Sequence, residues 1–155
     1  MEMTDVVTAF IVRPADHGVR VLVLRRSDKV GSYHGKWAGV SGHFESAGPL
    51  DQALTEIEEE VGLPPDTVRL LASTPPVEIA DEDIGRIWRV HSFLFETTAP
   101  DSVRLDWEHT ELRWVEPQAL HRLDTVPGLA PALDALLQRW HARGDRTQTK
   151  VGNSQ

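Results

Sequence analysis

Apolar runs along the chain predict a β-sheet. Residues 6–12 are apolar and rich in β-branched side chains, and residues 19–24 form a second such run after the turn-like sequence PADHG. This composition favours strands, and the short connection predicts a β-hairpin. Residues 87–95 are largely apolar and aromatic, which predicts a central strand buried on both faces. We expect shorter strands at residues 68–72 and 112–115.

Helical spacing of apolar side chains predicts helices that pack on this sheet. Residues 49–61 carry apolar side chains three and four positions apart, with Pro49 suited to the first turn and Gly62 to the C-terminal cap. Residues 131–141 show the same periodicity, and residues 117–122 predict a short helix. Strands with interposed and terminal helices predict α/β/α or α+β layering around a mixed sheet. The expected fold class is α/β.

The remaining segments predict loops within one domain. Residues 37–48 contain three glycines, and residues 75–83 read as an acidic connection. Residues 144–155 are polar and lack an apolar period, which predicts a flexible C-terminal tail. A chain of 155 residues has the length of one domain. We therefore expect a single domain over residues 1–143.

The end of the first predicted helix concentrates negative charge. Glu56, Glu58, Glu59 and Glu60 occupy four of five successive positions. On a helix, Glu56, Glu59 and Glu60 share one face because three and four residues separate them. Like charges at this spacing repel, and glutamates at a helix C-terminus oppose the helix dipole. A hard divalent cation such as Mg²⁺ would offset both effects, whereas a solvated acidic face is the alternative interpretation.

The overall charge and composition exclude several classes of partner. The net charge is -8 without an offsetting basic stripe, which disfavours nucleic acid and anionic membranes. The chain has no cysteine, which excludes disulfides and thiolate nucleophiles and makes the cytoplasm the expected compartment. The N-terminus lacks the pattern of a signal peptide, and no apolar run is as long as a membrane span. The seven histidines show no ligand-like spacing, which disfavours zinc.

The acidic helix and its surroundings resemble the Nudix superfamily, pyrophosphohydrolases of nucleoside diphosphates linked to a second moiety. The family signature is Gly, five residues, Glu, seven residues, then Arg-Glu-apolar-x-Glu-Glu-x-Gly-apolar. The sequence EIEEEVGL, from Glu56 to Leu63, matches the last eight positions at every defined residue. The order of expected elements also agrees over residues 5–141. The resemblance implies a Nudix-like α/β/α sandwich around a mixed β-sheet.

Two departures alter the signature in this chain. Thr55 stands where the family has arginine, and the segment between Gly42 and Glu56 is one residue short. The early glutamate has no counterpart, because Ala47 or Gly48 falls at its place. In the family, the arginine and the early glutamate position and support the site, whereas the helix glutamates bind metal. The resemblance therefore carries over the metal-binding half of the motif.

The resemblance implies hydrolysis of a phosphoanhydride bond by a water that Mg²⁺ activates, with Mn²⁺ as a substitute. Glu59 and Glu60 would be the principal metal ligands. Glu56 would bind metal or act as the general base, so Glu56 and Glu59 are the expected catalytic residues. The carbonyl oxygen of Gly42 would add a further metal ligand.

Residues outside the motif complete the expected site. Family members place a further acid there, for which Glu108 is our choice, with Asp106 and Glu111 as rivals. Arg25 and Arg26 emerge at a strand end where they could meet phosphate, although solvated charge is an equal interpretation. The cations expected to bind substrate are Arg25, Arg26, Lys36 and Arg89.

Two alternative functions remain open at this point. Thr55 and the shortened motif favour a Nudix-fold nucleotide-binding or regulatory module with negligible turnover. A structural domain in which the glutamates are only solvated is the third interpretation. The enzyme hypothesis implies a small nucleotide-like substrate and, by analogy, a homodimer. Substrate selectivity would lie in residues 27–36, 75–86 and 97–110, which match no motif.

Overall fold

An eight-stranded sheet forms the centre of the molecule in a computed structural model, which describes residues 1–44 and 48–153, with side chains described up to residue 144. Two α-helices, α1 (Pro49–Val61) and α2 (Leu129–Asn153), accompany short 3-10 helices. The strands are β1 (Glu2–Pro14), β2 (Val19–Arg26), β3 (Trp37–Ala38), β4 (Val40–His43), β5 (Val68–Ser73), β6 (Val77–Asp81), β7 (Arg86–Thr97) and β8 (His109–Val115).

The strand order makes the sheet mixed. The main path is β3-β2-β1-β7-β5, with β4 beside β1, β6 beside β7 and β8 beside β2. Strands β1 and β7 run parallel, from Glu2 opposite Arg86 to Val12 opposite Glu96. The other strand pairs in the described chain are antiparallel. The expected hairpin is confirmed, with Val12 of β1 opposite Val21 of β2.

Alternation along β1 and β2 divides the core between the two faces of the sheet. Phe10 packs in a buried cluster with Leu133 of α2. Its neighbour Ile11 packs in a second cluster with Ile57 of α1. Successive side chains of a strand point to opposite faces, so one apolar strand serves both clusters. The sheet thus lies between two helices, which confirms the α/β/α sandwich in a single domain.

Three strands lie where the sequence predicted loops. Strands β3 and β4 form within the glycine-rich segment, where β4 pairs with β1. Strand β6 forms within the supposed acidic connection at 75–83, and its five residues pair with β7. Val77 and Glu78 of β6 are exposed, so the strand lacks the buried apolar run that indicates a strand in a sequence. The prediction of a loop at 75–83 is wrong because pairing with β7 stabilises β6.

Two further predictions need adjustment. Strand β7 is central, but residues 86–91 are only half-buried, whereas residues 92–95 are buried. Helix α2 continues to Asn153, beyond the end predicted at residue 141. The tail expected at 144–155 coincides with this helical end and with residues 154–155, which lie outside the described residues. Its flexibility stays a prediction.

Candidate active site

Helix α1 positions the acidic residues through its apolar face. Ala53, Ile57 and Val61 are fully buried, whereas Leu50, expected on the same face, is 38% exposed. The helix ends at Gly62, which has φ 74° and whose N–H bonds the carbonyl of Glu58. Glycine adopts this left-handed conformation without the steric penalty of a Cβ. The helix extends over Pro49–Val61, as the sequence predicted.

The carboxyl group of Glu56, a residue of α1, packs closely against β4. Its Oε1 accepts a hydrogen bond of 2.9 Å from the side-chain amide of Gln52. A Cβ atom built on Gly42 would overlap the carboxyl group of Glu56. Glycine at position 42 therefore permits the approach of the helix carboxylate to the strand backbone. The structure brings together two of the residues that the sequence singled out for metal binding.

Glu60 is the buried member of the acidic group. The residue is 2% exposed, and its Oε2 has no hydrogen-bond partner within the described chain. Burial raises the pKa of Glu60 well above its ordinary value, and the nearby Glu56 and Glu108 raise it further. An unpaired carboxylate oxygen in an apolar setting is unfavourable unless something binds it. Glu59, by contrast, is exposed and lines the adjoining cavity.

Glu108, in the turn before β8, and His109, the first residue of β8, lie close to Glu60. Ligand atoms of Glu60, Glu108 and His109 all lie within 4.8 Å of one another, a group that could hold a metal ion. Burial, with the negative charges of Asp106 and Glu56, raises the pKa of Glu108 to about 7. Glu108, which the sequence suggests as the further acid outside the motif, thus lies close to the helix glutamates.

His109 links the two acidic segments through its imidazole ring. The ring is buried, with Nδ1 3.3 Å from Asp106 Oδ1 and Nε2 3.7 Å from Glu60 Oε1. Burial lowers the pKa of His109, and the negative charge of Asp106 opposes that shift. Of the two rivals to Glu108, Asp106 lines the cavity. Glu111 instead forms ion pairs with Arg25 and Arg113.

A cavity of about 950 Å³ opens beside the acidic residues. Its acidic lining residues are Glu56, Glu59, Asp106 and Glu108, and Gly42 also lines it. Other lining residues are aromatic or aliphatic, and they include Trp88 and Tyr33. The cations that line this cavity are Arg26, Lys29 and Arg86.

The four cations predicted to bind substrate separate into two groups. Arg26 lines the cavity, and its Nε donates to the carbonyl of Ser32 at 2.9 Å. Burial lowers the pKa of Arg26, whereas the charges of Glu108 and Glu60 oppose the shift. The other three lie outside the cavity lining and pair with acidic side chains: Arg25 with Glu111, Lys36 with Asp124, and Arg89 with Asp5 and Glu78.

Two hydrogen bonds fix the aromatic part of the cavity. The indole Nε1 of Trp88 donates to the hydroxyl of Tyr33 at 2.9 Å, and that hydroxyl donates to Asp81 Oδ2 at 2.6 Å. Tyr33 has φ 54°, an uncommon conformation for a residue with a side chain. The segment around Tyr33 is thereby tied to β6 and β7. The cavity therefore combines an acidic end with an ordered aromatic wall.

Sequence reasoning missed two residues of this site. Spacing along the chain does not distinguish His109 from the other histidines, although it follows Glu108 directly. Gln52 belongs to no motif, although it precedes Glu56 by four residues and therefore lies on the same helix face. That interval on α1 is the signal in the sequence that indicates Gln52.

The donor set of the site fits a hard divalent cation. Such ions prefer carboxylate and carbonyl oxygens. Glu56, Glu59, Glu108 and Gly42 line the cavity, and Glu60 lies beside Glu108. The buried, unpaired Oε2 of Glu60 is the specific observation that favours this fit. In the segment between Gly42 and Glu56, which is one residue short of the motif, residues 45–47 lie outside the described residues.

Comparison with known proteins assigns the chain to a family. The model of the NUDIX domain matches residues 3–136, so the chain belongs to the Nudix family. No curated protein matches the chain in sequence. Within the described residues, no helix is long and apolar enough to span a membrane.

Several solved structures share the fold at low sequence identity. A Nudix hydrolase from M. smegmatis, RenU, is 22% identical, with a TM-score of 0.70 over 96% of this chain and 89% of that one. A C. elegans Ap4A hydrolase, solved as a binary complex, is 18% identical, with a TM-score of 0.70 over 85% and 96%. The NUDIX domain of Shewanella oneidensis NrtR, complexed with ADP-ribose, is 15% identical, with a TM-score of 0.61 over 92% and 89%.

Proposed function

We propose that this protein is a Mg²⁺-dependent Nudix pyrophosphohydrolase that cleaves a phosphoanhydride bond in a nucleoside diphosphate derivative. The observation that carries the proposal is that Glu56, Glu59 and Glu108 line one cavity, with the buried Glu60, whose Oε2 is unpaired, beside Glu108. Membership of the Nudix family supports it, as does the Ap4A hydrolase with the same fold. Nucleoside triphosphates, nucleotide sugars and dinucleotides are the substrate classes to test.

Glu56, Glu59, Glu60 and Glu108, with the carbonyl oxygen of Gly42, would hold the ion. When bound, Mg²⁺ neutralises phosphate charge and lowers the pKa of water, with Mn²⁺ as a substitute. The carboxylates would otherwise repel an anionic substrate, since the chain carries a net charge of -8. Arg26, which lines the cavity close to Glu108 and Glu60, supplies positive charge for the phosphates.

Glu56 is the proposed general base. Its Oε1 accepts the hydrogen bond from Gln52 and keeps a second lone pair for the ion, so we assign Oε2 as the atom that receives the proton of the attacking water. Water oxygen then bonds to phosphorus while the bond to the bridging oxygen breaks. The products are a nucleoside monophosphate and the second phosphorylated fragment, and the bridging oxygen keeps the electron pair of the broken bond.

A substrate panel tests this proposal. Nucleoside triphosphates, nucleotide sugars, dinucleoside polyphosphates and nicotinamide dinucleotides are incubated with Mg²⁺, with Mn²⁺ or with chelator, and products are separated by chromatography. We expect chelator-sensitive release of a nucleoside monophosphate, with Glu59→Gln strongly impaired. Turnover that persists in chelator, or in which Glu59→Gln is fully active, would contradict the proposal.

Thr55, in place of the family's arginine, and the shortened motif favour a second candidate, a nucleotide-binding module without turnover. The neutral hydroxyl of Thr55 cannot supply the charged bracing of the family's arginine. The module predicts that nucleotides raise the melting temperature in the presence of metal, while no substrate of the panel is cleaved. A ligand at 100 times its Kd adds about 2.7 kcal/mol of stability. The homodimer and the cytoplasmic location stay predictions.

A further inference from the structure

We propose that Gln52 is a positioning residue, which holds the Glu56 carboxylate in the orientation that its role requires. The inference rests on the proposed function, because Gln52 acts on the reaction only through Glu56. It assigns to a neutral amide the support that the family motif takes from the arginine at position 55. No motif residue of the Nudix signature falls at position 52.

The contact between these two side chains is direct and part-buried. Gln52 is 3% exposed and lies one helical turn before Glu56, on the same face of α1. Its Nε2 donates to Glu56 Oε1 at 2.9 Å. A hydrogen bond to a charged acceptor is stronger than one between neutral groups. Gln52 therefore restricts rotation of the carboxylate.

Gly42 packs against the same carboxyl group. A Cβ atom at residue 42 would overlap its carbon and Oε1, so the backbone of β4 lies against it. The carboxylate of Glu56 thus contacts both the amide donor on α1 and the glycine of β4. These two contacts restrict its orientation beside the cavity, which both Gly42 and Glu56 line.

Thr55 cannot provide the same support. Thr55 is exposed, and its side chain offers one neutral hydroxyl in place of a charged guanidinium. The last turn of α1 also contains no basic residue. The amide of Gln52 is consequently the donor that α1 offers to Glu56.

The experiment compares Gln52→Leu with the matched control Gln138→Leu, which makes the same change at an exposed position of α2. Gln52→Glu is a second variant of nearly identical shape that replaces the donor with an acceptor. Thermal unfolding verifies that each variant is folded. Steady-state kinetics give kcat and KM, and the electron paramagnetic resonance of free Mn²⁺ gives the metal affinity. Glu56→Gln and the double variant that combines Glu56→Gln with Gln52→Leu complete a double-mutant cycle.

We expect both Gln52 variants to lower kcat by about ten- to a hundredfold, the factor for one hydrogen bond to a charged group. KM should stay within about twofold of wild type, because the contact acts in the chemical step. Gln138→Leu should match wild type. In the Glu56→Gln background, Gln52→Leu should have little further effect, since residues that act together are not additive.

A wild-type kcat in folded Gln52→Leu would overturn the inference, as would an equal loss in the Glu56→Gln background. If wild type cleaves no substrate, the proposed function fails separately, and Mn²⁺ binding tests Gln52. In that case Gln52→Leu should weaken Mn²⁺ binding about tenfold. In the Glu56→Gln background, Gln52→Leu should leave the Mn²⁺ affinity unchanged. Unchanged Mn²⁺ affinity would then overturn the inference.

Discussion

Replacing Glu60 with glutamine should stabilise the metal-free protein and remove its stabilisation by metal. The Glu60 carboxyl is buried, with an unpaired Oε2, and its folded-state pKa lies well above the ordinary value because of burial. A carboxyl group with a raised pKa favours the folded state at low pH, and this contribution is lost as the pH rises toward the folded-state pKa. Glutamine has nearly the same shape without the charge. The gain should therefore be larger at pH 8 than at pH 5.

The magnitude follows from the hydrogen bond that the amide of the variant can donate to the neighbouring carboxylates of Glu56 and Glu108, which a carboxylate cannot donate. Satisfying one buried polar group contributes about 1–3 kcal/mol. For a domain of this size, 1 kcal/mol changes Tm by about 2–4 °C. A central estimate of about 2 kcal/mol thus raises the Tm of metal-free Glu60→Gln by about 4–8 °C at pH 8. Saturating Mg²⁺ or Mn²⁺ should raise the wild-type Tm but have little effect on the variant.

Thermal unfolding with chelator and with metal measures both effects. Glu58→Gln is the matched control, because Glu58 is exposed on the same helix and loses the same charge. Its Tm should remain near wild type, and its response to metal should persist. A lower Tm for metal-free Glu60→Gln, or an unchanged response to metal, would refute our interpretation of the buried carboxylate.

Three further predictions concern the surrounding residues. Gly42→Ala should lower kcat at least about tenfold because the added Cβ overlaps the carboxyl group of Glu56. Gly48→Ala, with open space around it, should be near wild type, and equal activities of the two variants would contradict this. Because the pKa of Glu108 is raised to about 7, the Tm of the chelated protein should decline from pH 6 to pH 8; a Tm that increases over this interval would oppose the assignment. Arg26→Gln should raise KM about tenfold relative to Arg25→Gln, because Arg26 lines the cavity and Arg25 does not. A larger increase in KM for Arg25→Gln would contradict the proposal that Arg26 binds the phosphates.

Much of the fold could be predicted because local patterns agree with the tertiary structure. The apolar face of α1 and the left-handed Gly62 specify that helix without reference to distant contacts. The apolar runs of β1, β2 and β7 likewise reveal strands. Strand β6 lacked such a signal, because its exposed residues depend on pairing with β7 rather than on burial.

The site could be predicted in composition but not in its geometry. Helix spacing places Glu56, Glu59 and Glu60 on one face, yet only Glu60 is buried. That difference arises from His109 and the segment before it, which pack against α1 from about 50 residues away along the chain. The distinction between Arg25 and Arg26 has a similar origin, since adjacent strand residues face opposite sides and the loops decide which side holds the cavity.

The central claim is that the acidic residues bind a metal ion that drives phosphoanhydride hydrolysis. Initial rates of wild type, Glu56→Gln and Glu58→Gln, measured on the best substrate of the panel against Mg²⁺ concentration, test it most directly. We predict that Glu56→Gln loses at least about a hundredfold in kcat and that Glu58→Gln keeps the wild-type rate and Mg²⁺ dependence. Equal rates for the two variants, or rates independent of Mg²⁺, would contradict the account.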